Sequence, residues 1–148
     1  MNLYYTTVAG FESKVPQVLQ WKGTNDSNGS VVNESYIETF LKEAESLVDS
    51  YFNGRYSTPV KATDGSIPAV ISGHVYTIAK YELFKRRNLV DGAMQAQYDH
   101  AIMWLRDVAR GLIGLAVYSA DGTRDPSRDT FFATGKRGAA LFNRGVPT

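Results

Sequence analysis

The residues that could carry out chemistry in this chain are few and widely separated. His74 and His100 are the only histidines among 148 residues, and cysteine is absent. Neither histidine belongs to an HExxH motif, and two histidines without cysteine argue against a zinc site. A packed or surface histidine is the better interpretation of each. We therefore predict no catalytic residue, no metal and no cofactor.

Two loops match ion-binding or phosphate-binding motifs only in part. Asp26, Asn28 and Gly29 occupy the third, fifth and sixth places of an EF-hand pattern. The first and twelfth places of that pattern are not acidic, so the decisive calcium ligands are missing. Gly135-Lys136 lacks the earlier glycine and the following Ser or Thr of a phosphate-binding loop. Both loops are interpreted as turns.

The composition is typical of one globular domain. The chain is 43% apolar and 21% charged with a formal net charge of +1, which gives no reason to expect tight nucleic-acid or membrane binding. The opening MNLYYTTVAGFESK lacks a positive leader followed by an apolar run. No stretch approaches the roughly 18 apolar residues of a membrane span. We expect a product that is made and assembled in the cytoplasm.

Three long segments repeat apolar residues at three- and four-residue steps, which predicts helices over residues 33–52, 67–88 and 91–110. Asn33 and Asp91 are placed as N-caps of the first and third helices. The few residues between the second and third helices favour an antiparallel hairpin.

Local signals add detail at the helix ends and ahead of the first long helix. Ser35 and Glu38 have the spacing of a capping box, and Pro68 falls in the first turn of the second helix. Thr7 could cap a short helix through Phe11, which Val15-Pro16 would end or bend. A second short turn is expected around residues 18–21, followed by a polar loop over residues 22–32.

These patterns predict an all-α fold. It consists of a bundle of three long helices, one or two short N-terminal helices and an extended C-terminal arm. We assign residues 1–118 to the helical domain and 119–148 to the arm. The residues expected to be buried at helix–helix contacts are Leu41, Leu47, Ile78, Ile102 and Leu105.

A corner follows the first long helix, where Arg55 and Tyr56 precede a turn at Pro59. We predict that this corner packs structurally and does no chemistry. Arg55 is expected to bond a carboxylate or a helix C-terminus, and Asp49 is the candidate carboxylate nearest in the sequence.

The last thirty residues have no sustained period but keep spaced apolar anchors and scattered basic residues. This composition is typical of an arm that becomes ordered when it binds a partner. A frayed tail is the alternative interpretation. The residues predicted to bind a partner are Arg124, Arg128, Phe131, Phe132, Lys136, Arg137, Leu141, Phe142 and Arg144.

A basic cluster, Lys85-Arg86-Arg87, ends the second long helix. Contact with DNA is one interpretation, and compensation of the helix dipole is the commoner one, which we favour.

Three runs of the sequence together resemble the Mu-like phage head–tail connector family. They are YIETFLKEAESLVDSYFNGRYSTPV, with a helix end leading into GRYSTP; IPAVISGHVYTIAKYELFKRR, ending in basic residues; and YDHAIMWLRDVARGLIGL. The opening YYTTVAGFESKV is similar to the family's short N-terminal helix. The resemblance covers most of residues 1–115, and beyond Tyr118 it extends only to general character.

The resemblance implies a structural virion protein without catalysis. It would be an adaptor in the phage neck, assembled as a homo-oligomeric ring of about twelve subunits beneath the portal. A tail-side neck or tail-terminator protein would bind below, and DNA would pass through the lumen without sequence-specific binding. The C-terminal arm would reach the portal. A small helical DNA-binding or DNA-packaging accessory protein is the alternative, and an enzyme is disfavoured because catalytic motifs are missing.

Overall fold

A computed structural model describes residues 2–24, 32–62 and 64–115 of the chain. These residues form five helices: α1 Val8–Lys14, α2 Gln17–Thr24, α3 Glu34–Phe52, α4 Ala69–Arg86 and α5 Gly92–Arg110. No extended strand occurs within these three ranges. The all-α prediction is confirmed, with three long helices and two short ones before them.

The ends of α3 and α5 follow the predicted local signals. The side-chain oxygen of Asn33 accepts a hydrogen bond from the Ser35 N–H at 3.2 Å, and that of Asp91 accepts from Met94 N–H at 2.8 Å. Gly111 ends α5 in the left-handed region, with φ of +80°. The predicted capping box between Ser35 and Glu38 is wrong. Glu38 instead forms an ion pair with Lys42, one turn later, at 2.6 Å.

Helix α4 is shorter than predicted at both ends. It begins at Ala69, so Pro68 lies at the N-cap position and not inside the first turn. It ends at Arg86, because Asn88 adopts a positive φ of 55° that breaks the helical path.

Helix α2 is longer than the predicted turn and includes residues that we assigned to a polar loop. Its last turn is fixed by contacts with α4 that are distant in sequence. Gly23 packs so closely on the Phe84 ring that a Cβ at this position would overlap it. Arg86 Nη2 donates to the Gly23 carbonyl at 3.1 Å. Tertiary packing thus extends a helix whose local sequence is polar.

The core lies between α3, α4 and α5, with α1 packed on α3, and α2 on α3 and α4. Leu41, Ile78 and Leu105 are buried as predicted. Leu47 and Ile102 are only half-buried, so that part of the core prediction is wrong. Both line a surface groove between α3 and α5, and all the residues that line this groove belong to those two helices.

Candidate assembly surfaces

The predicted partner-binding residues from Arg124 to Arg144 all lie beyond residue 115 and therefore outside the described residues. The candidate surfaces among the described residues belong to the helical domain.

Tyr56, in the corner after α3, is a core residue with 1% of its surface exposed. Its ring meets Phe52 edge to face, with centroids 6.1 Å apart. Its hydroxyl accepts a hydrogen bond from the Leu115 N–H at 3.2 Å. Pro59 follows a cis peptide bond with Thr58. The corner therefore anchors the chain that leaves α5 to the end of α3.

Arg55 lies at the C-terminal end of α5. Its guanidinium occupies the space that a Cβ of Gly111 would fill, and the positive φ at Gly111 favours glycine there. A helix C-terminus was one of the two kinds of partner predicted for Arg55. A positive charge at this point complements the negative end of the helix dipole. Asp49, the other candidate, accepts a hydrogen bond from Tyr5.

The N-terminal segment is bound to the bundle by a buried carboxylate. Glu45, on the core side of α3, is 5% exposed. Its carboxylate accepts hydrogen bonds from the backbone N–H groups of Tyr4, Tyr5 and Thr6 at 2.8, 2.9 and 3.0 Å, and from the Thr6 hydroxyl at 2.7 Å. Four donors satisfy this charge, so it is structural and not available for reaction. We call the contact between residues 4–7 and the bundle the N-terminal seam.

A second carboxylate lies one turn along α3 in the same seam. Asp49 Oδ1 accepts from the Tyr5 hydroxyl at 2.5 Å, and that hydroxyl accepts from Val60 N–H at 2.7 Å. Burial is the main cause that raises the pKa of Asp49 above its ordinary value, and burial likewise raises the pKa of Tyr5. Sequence analysis missed the pair, although Glu45 and Asp49 interrupt the apolar stripe of α3 at four-residue spacing.

The two histidines, which are far apart in sequence, face each other across α4 and α5. His74 stacks on Trp104 with ring centroids 4.4 Å apart, and the His100 ring lies 6.3 Å away. Burial, followed by the nearby His100, lowers the pKa of His74. Among the described residues no three side chains of metal-binding type converge, so this pair has no third ligand there.

The basic cluster at the end of α4 is engaged within the fold. The Arg86 guanidinium lies 4.3 Å from the centroid of the Tyr36 ring and also bonds the Gly23 carbonyl. Lys85 Nζ is 3.8 Å from Glu82 and lies over the Tyr81 ring. These contacts join α2, α3 and α4, and they favour a structural role for Arg86 over phosphate binding.

An apolar groove of about 510 Å³ opens between α3 and α5. Met103 lies on its rim and is 56% exposed. Asp99 and Arg106 bring one charge of each sign to the lining. We call this surface the α3–α5 groove. The lining residues are Leu47, Tyr51, Tyr98, Asp99, Ile102, Met103 and Arg106.

No helix in the described ranges is long and apolar enough to cross a membrane.

Two comparisons relate this sequence to known proteins. The model of a family described as "Bacteriophage Mu, Gp36" matches residues 5–134. The "Mu-like prophage FluMu protein gp36" of Haemophilus influenzae is 37% identical over 92 residues, which span 62% of this chain and 61% of that protein. The matched region therefore covers less than two thirds of the relative.

Proposed function

This chain belongs to the bacteriophage Mu Gp36 family, and we propose that it is a head–tail connector, a structural subunit of the phage neck. In this role it assembles as a ring of about twelve copies beneath the portal and joins the capsid to the tail. The family match over residues 5–134 is the observation that carries the proposal. We further propose that it acts by assembly and not by catalysis.

The distribution of buried polar and exposed apolar side chains in the helical domain supports an assembly role. The buried carboxylate Glu45 is satisfied by four donors, whereas the α3–α5 groove leaves apolar side chains open to solvent. Polar groups that are satisfied internally do not require a partner, and exposed apolar surface gains free energy when one covers it. A domain of this size has a limited core, and neighbours in a ring can bury what it leaves exposed.

In the proposed neck, the C-terminal segment from about Ser119 binds the portal, and a tail-side neck or tail-terminator protein binds below the ring. Ordering such a segment costs about 1–2 kcal/mol per residue, so its apolar anchors must be buried to make binding favourable. Each buried Phe returns roughly 2 kcal/mol. Many arms on one ring would hold together through avidity.

A chain ending at Tyr118 tests this role. It should keep the helical circular dichroism of the full chain, because the described core ends at Leu115. It should fail to co-sediment with purified portal, while the full chain should co-sediment. Equal binding by both proteins would show that the helical domain, and not the arm, makes the joint.

A test in the phage addresses the neck itself. Particles made without this protein should accumulate as separate filled heads and finished tails in electron micrographs, and antibody labels should mark the head–tail junction of complete particles. Normal joined particles in its absence would overturn the connector proposal.

The rival function is a small DNA-binding or packaging accessory protein, and salt dependence separates the two. Binding through phosphates weakens by orders of magnitude between about 50 and 200 mM salt. A ring held by apolar packing should change little over this range. The engagement of Arg86 with Tyr36 and Gly23 favours the connector.

A further inference from the structure

We propose that the α3–α5 groove is the acceptor half of the contact between neighbouring subunits, and that its occupant is α2 of a second copy of this chain. The inference rests on the proposed ring and names its interface. A ring requires a head-to-tail contact, in which one subunit presents two different surfaces.

The donor surface is on α2, which packs against α3 and α4, whereas the groove lies between α3 and α5. Val18 is 53% exposed on α2, the largest exposed fraction of an apolar side chain on the four helices outside α5. Lys22 follows one turn later and is also exposed, so the two side chains share one face of α2. One copy thus carries an apolar knob on one face and an apolar groove on another.

The charges that line the groove favour one direction of contact. On α5, Asp99 precedes Met103 by four residues; on α2, Lys22 follows Val18 by four residues. If α2 of one copy lies antiparallel to α5 of the next with Val18 against Met103, Lys22 meets Asp99. In the parallel direction Lys22 would lie beside Arg106, which lines the groove and repels it, and near Asp107, which follows Met103 by four residues but does not line the groove. Electrostatic complementarity of this kind fixes direction and register more than it adds affinity.

Asp99 is accessible for this pairing. It is exposed, and its carboxylate accepts a hydrogen bond from the Gln95 side chain at 3.0 Å, a neutral partner on the same helix. A lysine from a neighbour can therefore pair with it without breaking an internal ion pair among the described residues.

The absence of cysteine allows a direct test by disulfide cross-linking of the full chain. Val18→Cys protein is mixed with Met103→Cys protein under mild oxidation, and we expect a disulfide-linked heterodimer. The matched control pairs Leu89→Cys with Met103→Cys, because Leu89 is exposed but lies outside both surfaces. One chain carrying Val18→Cys and Met103→Cys should give a ladder of higher oligomers, since a head-to-tail contact repeats.

Charge reversal tests the direction of the contact. Lys22→Glu in the Val18→Cys protein, or Asp99→Lys in the Met103→Cys protein, should lower the cross-linking rate about three- to tenfold. The two reversals together should restore it, which an effect on folding could not do. All four positions are exposed, and circular dichroism provides the check that each variant is folded.

The outcomes distinguish this inference from the connector proposal. Cross-linking of Val18→Cys with Met103→Cys that is no faster than the Leu89→Cys control overturns the interface, even if antibody labelling finds the protein at the neck. Fast cross-linking with rescue by the double reversal supports the interface, even if phage lacking the protein assemble normally and the connector proposal falls.

Discussion

The N-terminal seam and the α3–α5 groove are two sides of α3 that distribute polarity in opposite ways. In the seam, charged Glu45 is buried and fully satisfied by Tyr4, Tyr5 and Thr6. In the groove, apolar Leu47 and Ile102 stay half-exposed. The seam has little left to gain from a partner, and the groove has much. This difference is the reason why we propose the groove, and not the seam, as a contact surface.

Exposure and residue chemistry therefore select different surfaces. A search for reactive groups selects the carboxylates and the histidines, which are the groups that the fold has already engaged. The surface that we assign to assembly contains no unusual chemistry, and it is recognised by the apolar area that remains open.

The largest expected effect tests the boundary between core and groove on α5 itself. Leu105 is fully buried, so Leu105→Ala should lower the free energy of unfolding by about 2–5 kcal/mol. Met103→Ala, two residues away in the groove, should cost less than about 1 kcal/mol. Denaturant titration of both variants provides the measurement. Similar losses would mean that the groove is part of the core and is closed in the free protein.

A smaller loss is expected in the seam. Glu45→Gln keeps the size of the side chain but replaces one acceptor oxygen by an NH₂ group, which would face a backbone N–H of residues 4–6. Losing one charge-assisted bond should cost about 1.5–3 kcal/mol. Hydrogen exchange at Tyr5 and Thr6 should also become faster. The control is Glu43→Gln, an exposed carboxylate on the same helix, which should change neither quantity. An unchanged stability for Glu45→Gln would contradict the structural role of the seam.

Tyr5→Phe should cost less, on the order of 1–2 kcal/mol, because the buried ring is retained and only the hydroxyl is lost. The hydroxyl bonds both Asp49 and Val60, so its loss leaves a buried N–H at Val60 without this acceptor. Tyr4→Phe is the matched control, since Tyr4 is 52% exposed. Thermal unfolding of the two variants should separate them, and equal melting temperatures would place the seam outside the cooperative fold.

The smallest expected effect is the change of stability with pH that is due to His74, a residue that belongs to neither surface. Its pKa is lowered in the fold from the ordinary 6.5, chiefly by burial, so the unfolded chain binds a proton more readily. This contribution to stability is complete above about pH 7 and is lost as the pH falls below 6.5. His74→Gln should flatten that part of the stability profile. His100→Gln should only reduce its slope, because His100 is the lesser cause.

A profile for His74→Gln that is as steep as that of the wild type would assign the pH dependence to other groups. The contribution of Asp49 to the stability profile can be distinguished from that of His74, because folding raises the pKa of Asp49 and lowers the pKa of His74. Protonation of Asp49 favours the folded state as the pH falls through that raised pKa, whereas protonation of His74 favours the unfolded chain.

The sequence by itself determined the three long helices and the ends of two of them. These features depend on residues within four positions of each other, so Asn33 and Asp91 cap their helices as predicted without reference to the rest of the chain. It also indicated the family, through three runs of sequence in order. What the C-terminal segment binds stays a prediction.

Only the tertiary structure decided how much of the surface of each helix is buried. A period of three to four residues shows which way the apolar stripe points, but the same stripe holds buried Leu41 and half-exposed Leu47. Likewise, the local sequence of α3 does not show that Glu45 is buried. Its partners are the amides of residues 4–6, about forty positions away in the chain. Burial depends on which elements pack together, and that information is not contained in any local stretch of sequence.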